Sequence, residues 1–139
     1  MSRPPSRGRR LWLAALVCLG ASGWARAAAG SRVAERRWIE RSARLADAAR
    51  HHAAAADFHR DVEAHRDKLR QIVRSESGKT AQSVIRLHRT MILVNALLHA
   101  AAECQQGGRL VCPADLMRQL DGQIAEAFAQ LDAIEKASR

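Results

Sequence analysis

Proline is almost missing from this chain. Three occur in 139 residues, two of them within the first five, and between Ser31 and Gln106 there is none, with one glycine, Gly78. Alternation of β-branched residues is missing too, which excludes a sheet as the main architecture. Alanine, arginine, leucine and glutamate dominate instead, all strong helix formers. The sequence therefore predicts an all-α protein.

Catalytic signatures are also missing. There is no serine elbow, no H-E-x-x-H, no pair of E-x-x-H motifs, no C-x-x-C-H haem attachment, and no serine with a histidine beside it in sequence. Gly78-Lys79-Thr80 resembles the tail of a phosphate loop, but Val73 stands where that loop needs glycine, and no strand precedes it. The expectation is a protein that is not an enzyme.

What the first 29 residues hold is an address. Arg3, Arg7, Arg9 and Arg10 precede an uncharged run from Leu11 to Ala25, followed by two A-x-A sites that place cleavage after Ala27 or Ala29. This is the layout of a secretory signal peptide. The competing reading, a retained anchor, meets a run of about 22 Å against a hydrocarbon core of roughly 30 Å. Arg9-Arg10 before the apolar run faintly resembles a twin-arginine signal, and Cys18 follows a bulky valine where a lipidation site needs a small residue. A periplasmic or secreted protein is expected, with residues 30–139 forming one domain.

Cleavage changes the charge argument. The whole chain has 23 basic and 14 acidic residues, but five arginines lie in the leader, leaving 18 against 14 and a net charge of +4. Most support for nucleic-acid binding goes with the leader, and none is expected. The remaining excess is uneven: residues 30–90 carry 14 basic and 8 acidic groups, and residues 91–139 carry 4 and 6. A basic front half would suit an acidic partner or an anionic envelope surface.

Two cysteines remain after cleavage, Cys104 and Cys112, spaced C-x7-C. In an exported chain that pair reads as a disulfide, because the spacing fits neither a redox C-x-x-C nor a paired zinc knuckle.

Three helices are expected, over about 33–75, 81–104 and 113–137, in an antiparallel three-helix bundle. The first shows two apolar seams: Trp38, Ser42, Leu45, Ala49, His52, Ala56, then Phe58, Val62, His65, Leu69, Ile72. The seams are out of phase near Ala53 to Asp57, so the helix either kinks or breaks there, or its two halves touch different partners. The alanines around that point favour one long helix of about 65 Å. The second helix carries MILVNALLHAAA, apolar almost all round and so expected to be buried between neighbours, yet too short to span a bilayer. The third opens on Pro113 and shows a clean seam from Met117 to Ile134.

A long first helix would overhang the others and expose Trp38 and Leu45, ringed by Arg37, Arg41 and Arg44. Exposed apolar stripes mark interfaces, so the leading expectation is an interaction or scaffold module of the cell envelope. Its partner would be an unknown envelope protein or a second copy as a homodimer, and no cofactor would be needed. Matching heights across the helices also gathers His52, His59, His99, Glu103 and Met117 near the cysteine end. Those residue types would suit copper, zinc, nickel or haem, giving a periplasmic metal- or haem-binding protein as the alternative. A small periplasmic inhibitor or immunity protein is the third reading.

Overall fold

A computed structural model of the chain describes residues 32–76 and 78–139. The leader, its cleavage sites and Cys18 lie outside the described residues. The described chain forms four helices and one two-stranded hairpin: α1 Val33–Arg50, α2 Ala55–Ser75, α3 Gln82–Ala102, β1 Gln105–Gln106, β2 Arg109–Leu110 and α4 Ala114–Ala137. Mostly helical was expected. The helix count was not.

The long first helix breaks into α1 and α2, and the break has a defined chemistry. His52 N–H bonds to the Ala49 carbonyl at 3.2 Å, and Ala53 N–H reaches back to the Ala48 carbonyl at 3.1 Å. These two bonds are the Schellman pattern that closes a helix C-terminus. His52 occupies the left-handed position of the motif, with φ at 57°, where glycine is usual. Its ring secures it: Nδ1–H donates to the Leu110 carbonyl at 2.9 Å. The shift of seam phase thus marks a reversal of the chain rather than a change of partner along one rod.

Each helix runs antiparallel to the next, and α4 returns to pack on α1, giving an up-down-up-down four-helix bundle. Salt bridges seal the α1–α4 seam: Arg36 Nη2 meets Asp132 at 2.7 Å and Glu135 at 2.8 Å, and Arg50 Nη2 meets Asp121 at 2.6 Å. The core combines Ile39, Phe58, Val62, Leu87, Met91, Leu98, Leu110, Leu120 and Leu131.

The link between α3 and α4 is more structured than a plain loop. Gly107 and Gly108 both adopt positive φ, 58° and 80°, as a tight primed hairpin turn requires. The register pairs Gln105 with Leu110 and Gln106 with Arg109. This hairpin docks on the α1–α2 turn through Ala55 N–H to Gly108 O at 2.8 Å and Leu110 N–H to Ala53 O at 3.0 Å.

Two further expectations change. Folding α2 back along α1 covers the supposed overhang, so Trp38 and Leu45 are each only 3% exposed. The apolar run of α3, expected to be covered all round, leaves Ile92 and Leu93 at the surface because neighbours pack on one side only. Among the described residues no helix is long and apolar enough to cross a membrane.

Candidate functional site

A groove of about 620 Å³ lies between α1 and α2. Its rim carries Arg37, Arg41 and Arg44, which follow one another at helical spacing along α1, and Lys68 from α2. Asp61 is the acid among the lining residues, and it meets Arg41 at 3.8 Å. Among the described residues Arg37, Arg44 and Lys68 have no ion-pair or hydrogen-bond partner, whereas Arg36 and Arg50 of α1, and Arg32 just before it, are all paired. The groove is therefore a strip of uncompensated positive charge.

Beneath the rim lies an aromatic floor. The Trp38 indole stacks on the His65 imidazole with ring centroids 4.2 Å apart and planes 6° from parallel. Trp38 Nε1–H donates to the His65 carbonyl at 2.9 Å, so the two residues are joined twice. Burial pushes the His65 pKa down to about 4, and the charges of Arg41 and Lys68 act in the same direction. His65 is consequently neutral at physiological pH.

His65 Nε2 lies 2.7 Å from the Ser42 hydroxyl, a pairing that in an open site would suggest an activated nucleophile. Two observations argue against that use. Ser42 is 0% exposed, and His65 Nδ1 has no hydrogen-bond partner to orient the ring as a base. Ser42 Oγ donates to the Trp38 carbonyl at 3.0 Å and accepts from Nε2–H, which makes the pair a structural bridge between α1 and α2.

The other residues singled out from the sequence are dispersed. His52 serves the α1–α2 turn, His99 Nδ1 lies 3.7 Å from Glu63, and His59 and Glu103 are exposed. Met117 packs against the core. No three of His52, His59, His99 and Glu103 bring ligand atoms within 4.8 Å of one another. The group that does so among the described residues is Glu35, Glu76 and His88, from α1, the end of α2 and α3. Sequence spacing offered no hint of it, since its members lie far apart along the chain.

Cys104 and Cys112 flank the hairpin, but both are free thiols in this structure, so the expected disulfide is not formed. Each turns towards a carbonyl of the last turn of α3, Cys104 to Ala100 at 3.6 Å and Cys112 to Ala101 at 3.3 Å. Burial, together with the neighbouring Cys104, pushes the Cys112 thiol up to about 12.

Fold and site define a class: a four-helix up-down bundle with a basic, aromatic-floored groove on one face. No protein-family model, curated protein or solved structure matches the chain.

Proposed function

We propose that this is an exported, non-enzymatic helical protein of the cell envelope, periplasmic or secreted, which acts as an interaction module by holding an acidic segment of a partner protein in the α1–α2 groove. The observation that carries this reading is the set of unpaired cations, Arg37, Arg44 and Lys68, above an aromatic floor. An acidic helix or strand would neutralise the strip and lay its apolar side chains towards Trp38 and Ile72. Such complementarity steers association and selects partners.

Trp38 supplies the readout. Trp12 and Trp24 belong to the leader, so the cleaved chain contains this tryptophan alone. Titration with a glutamate-rich amphipathic peptide is expected to change Trp38 fluorescence saturably, and added salt to weaken binding. The double change Arg41→Glu and Arg44→Glu should lower affinity by about tenfold or more, since each exposed charge pair contributes up to about 1 kcal/mol. Binding to anionic lipid vesicles but not to the peptide would move the partner to a membrane surface. A dimer in solution that dissociates in the double variant would make the partner a second copy. No saturable change with any of these would remove the groove from consideration.

In the oxidising compartment that this address implies, Cys104 and Cys112 join as a disulfide. Support comes from their place at the two ends of a hairpin. The closed loop of nine residues would stabilise the fold by roughly 2.5 kcal/mol on the chain-entropy account. Thiol titration of the exported protein without reductant should find no free thiol, and reduction should lower the denaturation midpoint. Two titratable thiols in the untreated protein would refute the cross-link.

A further inference from the structure

We propose that Glu35, Glu76 and His88 form a binding site for a divalent transition-metal cation, zinc above others, at the end of the bundle where α1 begins, α2 ends and α3 starts. One ligand atom from each residue lies within 4.8 Å of the other two. The group is separate from the α1–α2 groove and stands or falls independently of it.

The local chemistry is out of balance without such a cation. Glu35 is a carboxylate only 2% exposed, and buried charges require compensation. Glu76 caps the C-terminus of α2, where the negative end of the helix dipole disfavours another anion. Against these two carboxylates the described residues set one guanidinium: Arg32 Nη1 lies 3.2 Å from Glu35 and 2.8 Å from Glu76.

His88 supplies the second, independent sign. It is 6% exposed, and its Nε2 is buried without any hydrogen-bond partner. That nitrogen faces Glu35 Oε1 at 3.8 Å, too far for a hydrogen bond. A buried polar atom left unpaired is costly and uncommon. The separation nevertheless suits two ligands of one ion. Zinc–nitrogen and zinc–oxygen bonds of about 2.0–2.2 Å place tetrahedral ligands about 3.4 Å apart.

One imidazole and two carboxylates match a borderline cation such as zinc, and two carboxylates neutralise its charge. A solvent molecule would complete four-coordination on the Glu76 side, where exposure is greatest. Arg32 then acts as the resident counter-charge that the metal displaces. With the ion bound, the start of α1, the end of α2 and α3 are clasped together.

The test is zinc titration of the chelator-treated protein, carrying no histidine tag, in competition with a chromophoric chelator. The expected result is one equivalent bound, with affinity reduced about a hundredfold in His88→Gln and Glu76→Gln and unchanged in the exposed-histidine variants His51→Ala and His59→Ala. Arg32→Ala should bind about tenfold more tightly, because the competing cation is gone. That gain distinguishes a metal site from a group that merely holds the fold. Circular dichroism establishes that each variant is folded, and should His88→Gln fail to fold, the cobalt(II) absorption of the unmodified protein still reports a four-coordinate nitrogen–oxygen site. Absence of stoichiometric binding would overturn the proposal. So would binding that survives Glu76→Gln and His88→Gln, or that vanishes with His51 or His59.

Discussion

Trp38→Ala is expected to lower folding stability by about 3–5 kcal/mol, the usual cost of truncating a buried tryptophan. Three contributions are lost together: the buried indole surface, the stack on His65 and the hydrogen bond to the His65 carbonyl. Against a total stability of about 5–15 kcal/mol for a domain of ordinary size, the variant should unfold at much lower denaturant and melt well below the parent. Trp38→Phe separates the contributions. It keeps an aromatic stack but forfeits the indole hydrogen bond, and should cost about 1 kcal/mol more than its change in apolar area alone would give. Adding Leu45→Ala to Trp38→Ala should abolish folding, because Leu45 is buried in the same core. If Trp38 served association alone, dilute monomer would keep its full stability after either change, and urea denaturation at low protein concentration decides between the two.

Acidification should destabilise the protein through His65. In the unfolded chain the imidazole takes up a proton near its ordinary value of 6.5, whereas in the folded state burial, Arg41 and Lys68 hold its pKa near 4. Between those two values the unfolded state binds more protons, so stability is complete above about pH 6.5 and falls as the pH drops towards 4. A separation of this size corresponds to about 3 kcal/mol. Urea midpoints measured across that range should decline steadily, and His65→Phe, which keeps a ring beneath Trp38, should flatten the decline. An unaltered slope in His65→Phe would assign the acid sensitivity to other groups. An acidic ligand in the groove should offset Arg41 and Lys68, raising the His65 pKa towards its ordinary value and so making the decline shallower and ending it at a higher pH.

Much of this architecture was legible before the fold was known, and the main misreading is instructive. The seams through Trp38 and Phe58 correctly identified the buried faces of α1 and α2, and their change of phase fell beside the true break. Helix propensity favoured continuity because alanines surround the junction and no glycine or proline interrupts it. The terminating residue is His52, a histidine in a position that usually takes glycine, and its reason for being there, the Leu110 carbonyl, lies 58 residues further along the chain. Tertiary contact overrode local preference. The same reversal hid the Ser42–His65 bridge and turned Trp38 from an expected surface residue into a core one. By contrast Arg37, Arg41 and Arg44 were legible as a stripe from spacing alone, because about two turns of one helix need no knowledge of its neighbours. The group of Glu35, Glu76 and His88 was not legible, since a helix start, a helix end and a helix interior supply one residue each.

The hairpin that meets the α1–α2 turn has a consequence for how the molecule opens. Nearly every backbone hydrogen bond in the bundle is local to one helix, and fraying of that helix is enough to release it. The amides of Ala55 and Leu110 are different, since their acceptors, Gly108 and Ala53, belong to the opposite half of the chain. Their exchange with deuterated solvent therefore records separation of the two helical pairs, distinct from the unwinding of any single helix. Two protons, in a backbone whose hydrogen bonds are almost all local, report on a junction between distant parts of the chain.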